Sequence, residues 1–372
     1  MTRPRVVVAG LGDSGLLTAL HLARADVDVV GISTKPGLVS GQELGLRLAR
    51  PEAWQRDYRI GFDRFRGLDR ATVLHGEVTA LDAGARTVLV RGTAGQQPQG
   101  VRYDVLVIAT GVRNGFWRRP ALETDAEVSA GLAAAHRRIA GSPTVLVVGG
   151  GAAAVSSALQ LATRWPDKEV RLAFPGPRAL PQHHPRVWQT ARRRLVAAGV
   201  ELLPGHRAVV PEGAEEITAG PVTWLTGQPT TPADAVLWAV GRVRPNTGWL
   251  PASLLDEQGF VRVEPTLRVP ALPDVFAIGD VAATDPLRAS ARNRADKLLA
   301  RNITDHLAGR PLASFRAPGR RWGSALGPEE DGLRVFAPSG HGFRFPAWSV
   351  DRVLQPWIVR RGIYGGVRSP RD

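Results

Sequence analysis

One pattern occurs twice in this chain: a run of β-branched residues, a glycine-rich turn, and then apolar residues at helical spacing. The first copy, VVVAGLGDSG, begins at Val6, and the second, VLVVGGGAAA, begins at Val145. A strand that passes through a tight turn directly into a helix is the first half of a βαβ unit, whose strands run parallel. The chain is therefore predicted to have an α/β fold that contains two such units.

The second copy lies in TVLVVGGGAAAVSSALQLAT, a stretch of about twenty uncharged residues, which is also the length of a membrane span. Three glycines directly after a β-branched run argue against a transmembrane helix, and Ser156, Ser157 and Gln160 would be poorly placed in lipid. A parallel strand that is buried on both faces is apolar throughout. The stretch is therefore predicted to be a buried strand that leads into a helix.

Both turns match a fingerprint of dinucleotide binding: G-x-G-x-x-G in the first glycine turn (residues 10–15) and G-x-G-x-x-A in the second glycine turn (residues 149–154). The first glycine permits the turn, the second lets the backbone approach a pyrophosphate, and the third position lets the helix pack on the strand. Free N–H groups at the helix start then face the phosphates. Two sites predict two dinucleotides, and FAD with a nicotinamide cofactor is the natural pair, because hydride passes readily between them. A duplicated domain with one inactive site is the alternative.

The first site lacks one expected residue. Roughly 20 residues after the glycines, a site of this type normally carries an acid that binds the ribose hydroxyls. The second strand, VDVVGIST, instead ends at Ser33. A hydroxyl cannot bind two ribose hydroxyls as a carboxylate does. Lys35, just beyond, is placed to touch a phosphate, so the sequence predicts a dinucleotide site with a weakened hold on the ribose.

Composition limits the chemistry that the chain can perform. It has 372 residues, enough for two domains and an appendage, and no cysteine, which excludes disulfides, thiolate metal sites, iron–sulfur clusters and cysteine nucleophiles. The histidines show no ligand spacing, so no metal site is predicted. The net charge of +14 suits anionic lipid, nucleic acid or phosphorylated ligands, although arginine-rich composition also follows from a GC-rich genome. No nucleic-acid-binding module is recognised in the sequence, and no nucleic-acid partner is predicted.

Three further segments each have the pattern of a buried strand that ends in a glycine turn. They are YDVLVIATG from Tyr103, ADAVLWAVGRVRPN from Ala233 and DVFAIGDVA from Asp274. In this order, and together with both glycine turns, they make the chain resemble the flavoprotein reductases with two dinucleotide-binding domains. Within that group it is most similar to the short type II NADH dehydrogenases and the apoptosis-inducing-factor-like quinone reductases. The resemblance covers nearly the whole chain.

The resemblance implies two Rossmann-like domains of the glutathione-reductase type and a small C-terminal segment. It places an FAD domain at 1–111 and 247–310, an NAD(P)H domain at 112–246, and a C-terminal lobe at 311–372. It also implies which residues contact the cofactors. The expected FAD contacts are Gly10, Gly12, Asp13, Ser14, Gly15, Ser33, Lys35, Arg47, Val78, Ala109, Thr110, Gly111, Gly279 and Asp280, and the expected NAD(P)H contacts are Gly149, Gly151, Ala152, Ala154, Ser156, Arg178 and Gly241.

Two residues depart from the family pattern. Ser33 replaces the acid for the FAD ribose, and Ser156 replaces a glutamate near the nicotinamide. Phe174 stands where an acid would favour NADH, with Arg178 close by; an arginine accommodates the 2′-phosphate of NADPH, but an exposed loop arginine fits the same sequence. No catalytic residue is assigned, because the protein's part in such a reaction is alignment and electrostatics.

The electron acceptor is expected to be external. Without cysteine the chain lacks the redox-active pair through which many relatives pass electrons, which leaves a quinone, another small oxidant or a redox protein. The last part, FRFPAWSVDRVLQPWIVRRGIYGGVR, interleaves aromatic and aliphatic residues with arginines, as interfacial membrane anchors do. Pro346 and Pro356 limit how much of it can form one helix. A third small lobe, or a contact in a homodimer, is the alternative.

The sequence therefore predicts an FAD-dependent NAD(P)H oxidoreductase that reduces a quinone at the inner face of a membrane. The N-terminus enters a strand at once without a signal-peptide pattern, so a cytoplasmic location with peripheral membrane contact is expected. The second hypothesis is a reductase of an electron-transfer protein such as a ferredoxin, because a basic surface would steer an acidic partner. The third is a flavin-binding redox sensor or scaffold without turnover, which Ser33 and Ser156 motivate.

Overall fold

The computed structural model describes residues 3–93, 97–117, 119–241, 243–284, 295–317 and 323–369. The strands are β1 (Arg5–Ala9), β2 (Asp28–Ser33), β3 (Gly37–Val39), β4 (Arg59–Gly61), β5 (Ala71–His75), β6 (Glu77–Asp82), β7 (Thr87–Arg91), β8 (Gln99–Arg102), β9 (Val105–Ile108), β10 (Val112–Arg113), β11 (Thr144–Val148), β12 (Glu169–Phe174), β13 (Glu201–Pro204), β14 (Ala235–Trp238), β15 (Arg244–Pro245), β16 (Arg268–Val269), β17 (Leu272–Ala277), β18 (Pro328–Glu329), β19 (Gly332–Phe336) and β20 (Gly342–Pro346). The α-helices are α1 (Asp13–Leu22), α2 (Leu44–Ala49), α3 (Pro51–Tyr58), α4 (Asp125–Ala140), α5 (Ala152–Arg164), α6 (Pro185–Ala197), α7 (Ala295–Leu307) and α8 (Ala347–Ser349), and a π-helix (Val350–Ile363) follows α8.

The first glycine turn belongs to a six-stranded sheet with the order β16-β17-β9-β1-β2-β5. Strands β17, β9, β1, β2 and β5 run parallel, and β16 pairs antiparallel with β17 at one edge. Val6, Val7 and Val8 of β1 are completely buried, as expected for a parallel strand covered on both faces. The chain leaves this sheet after β9 and returns to it at β16.

The second glycine turn belongs to a separate four-stranded sheet with the order β13-β12-β11-β14, in which all neighbouring strands are parallel. Strand β11 is buried from Val145 to Val148 and leads through the turn into α5. The predicted strand and helix in the uncharged stretch are therefore confirmed. The predicted α/β class with two Rossmann-like units is also confirmed.

Of the helices in the described ranges, none combines the length and the apolar character that a membrane crossing requires.

The chain passes between the two sheets twice, and the two crossings, β10 and β15, pair with each other antiparallel. Beside them the Thr110 hydroxyl donates to the C=O of Asn246 at 2.8 Å, and the Asn246 amide donates to the C=O of Thr110 at 2.9 Å. The division into 1–111 with 247–310, 112–246 and 311–372 stays a prediction, which this double crossing supports. Within these ranges, residues 1–2, 94–96, 118, 242, 285–294, 318–322 and 370–372 lie outside the described part of the chain.

Helix α2, from the first part of the chain, packs directly on α5, the helix that follows the second glycine turn. A Cβ at Gly45 would lie 2.7 Å from the carbonyl oxygen of Ser156 and 2.8 Å from the Cα of Ser157. Leu44 and Leu48 of α2 are buried in the core around β11. Small residues at this crossing therefore set the distance between the two helices, and with it the position of one sheet against the other.

Replacing Gly45 with alanine is expected to destabilise the protein by about 1–3 kcal/mol, because the added methyl group meets backbone atoms. This loss should outweigh the gain of about 1 kcal/mol that alanine normally brings to a helix interior. The control is Gly131→Ala in α4, where a Cβ would have nothing within 4 Å and a small gain in stability is expected. Denaturant unfolding measures both, and equal free energies of unfolding in the two variants would contradict the close helix packing.

The C-terminal segment contacts the cores around both parallel sheets. Strands β18, β19 and β20 form an antiparallel sheet, and Leu326 and Phe336 are buried in the core around the second parallel sheet. Further along, the Tyr364 ring packs edge-on against Phe65, with 5.3 Å between the ring centroids. The C-terminal segment therefore covers the second parallel sheet first and then contacts the core around the first parallel sheet.

The two prolines of the tail have different outcomes. Pro346 directly precedes the first helical residue of α8, as a proline that limits a helix should. Pro356 lies inside the π-helix, so the expectation that it would limit the helix is wrong. In a π-helix the hydrogen bonds join residues five apart, so the missing N–H of Pro356 removes a bond of that kind and not the i→i−4 bond of an α-helix.

Candidate functional site

A cleft of about 920 Å³ lies at the carboxyl ends of the parallel strands of the first sheet. This edge of an open α/β sheet is where ligands bind. The cleft is lined by the residues that follow β1, β2, β9 and β17, and it extends to the crossing strands β10 and β15. It brings together all the predicted FAD contacts except Gly15: Gly10, Gly12, Asp13, Ser14, Ser33, Lys35, Arg47, Val78, Ala109, Thr110, Gly111, Gly279 and Asp280.

The first glycine turn has the geometry that its fingerprint requires. Gly10 has a φ of 104°, and a Cβ there would overlap the carbonyl oxygen of Ala109. A Cβ at Gly15, which lies behind the turn and not in the cleft wall, would overlap the carbonyl oxygen of Gly10. Gly12 differs, because a Cβ there would have nothing within 4 Å. The backbone at Gly12 is therefore open to a ligand at the start of α1.

The end of β17 lies against the same turn. Gly279 has a φ of 80°, and a Cβ there would be 3.0 Å from the Ser14 Oγ. This close approach brings Asp280, the next residue, into the wall of the cleft beside the start of α1. Asn246 also lines the cleft and was not among the predicted contacts. No sequence motif predicts its hydrogen bonds to Thr110, because the two residues are far apart in the chain.

Asp13 begins α1 and holds a neighbouring loop. The Ser40 hydroxyl donates to the two carboxylate oxygens of Asp13 at 3.1 and 3.2 Å, and the Gln42 amide donates to one of them at 3.4 Å. A carboxylate in the first turn of a helix is also stabilised by the helix dipole. Asp13 therefore shapes the cleft wall by fixing residues 40–42, a role that the glycine pattern alone does not predict.

Arg47 of α2 presents a cation to the cleft. One guanidinium nitrogen donates to the C=O of Trp117 at 3.0 Å, and the group lies over the Trp54 ring, 4.7 Å from its centroid. Burial lowers the pKa of Arg47 to about 10, and the charge of Glu123 opposes this shift. The Nε atom is buried and has no hydrogen-bond partner among the described residues. An unpaired buried donor of this kind costs free energy unless a ligand accepts from it.

The second glycine turn has the same internal geometry as the first and lies outside the large cleft. A Cβ at Gly149, whose φ is 148°, would overlap the carbonyl oxygen of Ala239, whereas one at Gly151 would have nothing within 4 Å. Gly151 and Ala153 are exposed at the start of α5, Ala152 is half-buried, and Ala154 is buried. Gly241, with a φ of 72°, is open as well. The N-terminus of α5 is therefore accessible to a phosphate group.

Ser156 is buried beneath two other segments and does not face the large cleft. It is 6% exposed, with Gly45 of α2 on one side and Gly327 of the C-terminal segment on the other. A Cβ at Gly327 would lie 3.7 Å from the Ser156 Cβ and 2.7 Å from Oε2 of Glu43. A carboxylate therefore lies close to the position where the family pattern has a glutamate, but Glu43, the residue directly before α2, supplies it. The sequence pattern did not predict this.

Arg178 lies in the loop after β12, where its side chain is held by the loop itself. Its two terminal nitrogens donate to the backbone carbonyls of His183 and Pro181, each at 3.2 Å. The neighbouring Phe174 is buried. These contacts are those of an arginine held within its own loop, and a preference for NADPH stays a prediction.

Among the described residues, no three His, Asp or Glu side chains form a group that could hold a metal ion.

The residues of the two glycine turns fit two dinucleotides. Each turn has a second glycine whose Cβ position is open and a first glycine that no larger residue could replace. In the first site the unpaired Nε of Arg47 adds a donor that a bound phosphate or flavin group would satisfy.

Comparisons with known proteins agree with this geometry. The chain is 31% identical over 313 residues to an NADH dehydrogenase-like protein of Mycobacterium tuberculosis, a match that covers 75% of this chain and 73% of that protein. It is 27% identical over 340 residues to the oxidoreductase ptaL of Pestalotiopsis fici, covering 88% and 84% of the two chains. Among solved structures, a ferredoxin reductase of Rhodopseudomonas palustris shares the fold with a TM-score of 0.66 at 20% identity, over 90% of this chain and 88% of that one.

The model of the pyridine nucleotide-disulphide oxidoreductase family matches residues 4–297. The predicted resemblance and the predicted cofactors, FAD and NAD(P)H, are confirmed. With the two glycine turns, the large cleft and these matches together, the chain belongs to the pyridine nucleotide-disulphide oxidoreductase family and is an oxidoreductase.

Proposed function

We propose that the protein passes electrons from NAD(P)H through FAD to a quinone. The observation that carries this proposal is the combination of two glycine turns, one in the 920 Å³ cleft and one at the exposed start of α5, in a chain without cysteine. When bound, the two cofactors supply the hydride transfer that no amino-acid side chain provides. The chain's own residues hold and orient them.

The residues divide into two sets by the cofactor that they would hold. In the cleft, Gly12 and the start of α1 would bind the pyrophosphate of FAD, Arg47 would donate a hydrogen bond to the cofactor, and Asp280 would accept one from its sugar-alcohol chain. At the second turn, Gly151 and Ala152 offer backbone N–H groups to the pyrophosphate of NAD(P)H. The close packing of α2 on α5 fixes the position of one cofactor site relative to the other. Hydride transfer requires such an alignment of the two cofactors.

The choice of a quinone as acceptor rests on two observations. The chain has no thiol that could receive electrons. Its C-terminal segment also exposes large apolar side chains, with Trp348 at 63%, Trp357 at 58% and Ile358 at 47% exposure. The Arg361 guanidinium lies over the Trp357 ring, 5.0 Å from its centroid. Tryptophan and arginine together suit the boundary between lipid headgroups and acyl chains, and docking there would give access to a quinone dissolved in the membrane.

The acceptor is tested by reducing the flavoprotein without oxygen and mixing it rapidly with either a short-chain quinone or a ferredoxin. We expect the quinone to reoxidise the flavin faster, at a rate that salt does not change. The fold shared with a ferredoxin reductase and the net charge of +14 make a redox protein the second candidate. A faster reaction with ferredoxin that slows as salt is added would favour that candidate and contradict the quinone.

Replacing Trp348 and Trp357 with serine is expected to abolish flotation with vesicles that contain anionic lipid. Burying a large apolar side chain contributes about 1.5–3 kcal/mol, so the double variant should bind at least about a hundredfold more weakly. The matched control is Leu225→Ser, which removes a 66% exposed apolar side chain from the loops beside the second sheet. Flotation that is the same in the double variant and the wild type, or absent in both, would exclude the tail as a membrane contact.

A further inference from the structure

The end of β2 is where a dinucleotide site of this type holds the adenosine ribose, and Ser33 stands there. Ser33 is 8% exposed, and its Oγ accepts a hydrogen bond from the backbone N–H of Lys35 at 3.1 Å. This bond ties the hydroxyl to the turn that follows the strand. A single hydroxyl held in this way cannot bind both hydroxyls of a ribose.

A different part of the chain lies against this turn. The backbone N–H of Glu123 donates to the C=O of Thr34 at 3.0 Å, and the C=O of Glu123 lies 3.1 Å from the His75 Nε2. Thr34 directly follows β2, and His75 ends β5, the neighbouring strand of the sheet. Two backbone contacts therefore fix Glu123 beside the carboxyl ends of both strands.

The Glu123 carboxylate is held in the wall of the cleft. It forms an ion pair with the Lys35 ammonium group, which also donates to the C=O of Ala121. The Lys35 side chain is 14% exposed and the Glu123 side chain is 25% exposed. Both residues line the same cleft as Ser33. Burial lowers the pKa of Lys35, and the contact with Glu123 opposes that shift. A carboxylate offers about four lone-pair positions, so an ammonium partner leaves positions for two hydroxyl donors.

We propose that Glu123 is the carboxylate that binds the adenosine ribose of FAD, in place of the acid that would end β2. The proposal rests on the proposed function, because it assigns the adenosine half of FAD to this end of the cleft. Glu77 also lines the cleft, but its carboxylate pairs with Arg91 across the β6–β7 hairpin. Glu123 is the better placed of the two, since its backbone is fixed directly to the residue after Ser33.

The first test measures FAD binding to the apoprotein by quenching of flavin fluorescence. Glu123→Gln removes the charge and keeps the shape, and it is expected to weaken FAD binding by about tenfold or more. The matched control is Glu127→Gln, the same change in the same segment at an exposed residue that caps α4. The control should bind FAD as the wild type does. Wild-type affinity in Glu123→Gln overturns the proposal.

The second test separates a contact with the ribose from a local change in structure. It uses an FAD analogue whose adenosine ribose lacks the 2′-hydroxyl. The wild type should bind this analogue more weakly than FAD, whereas Glu123→Gln should bind the two about equally. A penalty of the same size in both proteins overturns the proposal, even if the variant binds FAD weakly. A wild-type protein that binds no FAD at all would contradict the proposed function itself.

Discussion

The Gly10→Ala variant is expected to lose its bound flavin and much of its stability. Gly10 has a φ of 104°, and the new Cβ would overlap the carbonyl oxygen of Ala109, the residue that follows the neighbouring strand β9. Backbone strain and the displacement of a buried strand together should lower the free energy of unfolding by about 3–5 kcal/mol. Thermal unfolding and flavin absorbance after purification measure both effects.

The matched control for this variant is Gly12→Ala in the same turn. Gly12 has a φ of −70°, which any residue adopts, and its Cβ would have nothing within 4 Å. The variant should therefore fold as the wild type does, but it should bind FAD about tenfold more weakly, because the methyl group occupies the side from which a pyrophosphate approaches. If both variants fold equally well and bind FAD equally well, the first glycine turn is not the flavin site.

Glutamate at Gly151 is expected to stop NAD(P)H from reducing the flavin without removing the flavin. Gly151 precedes α5 with a φ of −88°, and its side-chain position is open, so glutamate should fit without strain. Its negative charge would lie where the N–H groups of α5 meet a pyrophosphate. Repulsion between two charges about 4 Å apart near a surface is worth about 4 kcal/mol, so the reduction rate at low donor concentration should fall by more than about tenfold.

The control for this variant is Gln189→Glu, which adds the same charge on the exposed side of α6 in the same part of the molecule. Stopped-flow reduction of the flavin, with its absorbance recorded first, measures the difference between the two variants. We expect Gln189→Glu to be reduced at the wild-type rate. Unchanged reduction in Gly151→Glu would show that the second glycine turn does not bind the donor, and it would leave the alternative of an inactive duplicate.

The parts of this protein that sequence alone predicted are those that local backbone geometry controls. A buried parallel strand must be apolar, and the turn that follows it must be free of side chains where it meets the next strand. These two demands produced the patterns at Val6 and Val145, and the α/β fold follows from them. The lining of the cleft was predictable for the same reason, because the carboxyl ends of neighbouring parallel strands meet at one edge of a sheet.

The residues that sequence did not predict are contacts between distant segments. Glu123 reaches the end of β2 from far along the chain, and Asn246 pairs with Thr110 across the double crossing. Glu43 approaches Ser156 from the start of α2, which it directly precedes. At Ser33 and Ser156 the chain lacks an acid that the family pattern contains, and for Thr110 the pattern predicts no partner. At each of these positions the structure places a polar group from another part of the chain. No spacing rule connects such residues, because tertiary packing alone brings them together.

Hydride transfer from NAD(P)H to the flavin is tested by an anaerobic titration of the purified protein, first with NADH and then with NADPH. The visible absorbance of the flavin reports its reduction. We expect that a flavin is bound and that one of the two donors bleaches it rapidly at about one equivalent. A bound flavin that neither donor bleaches would contradict the reductase and favour a sensor or scaffold. A protein that binds no flavin after FAD is added would contradict the proposed function at its first step.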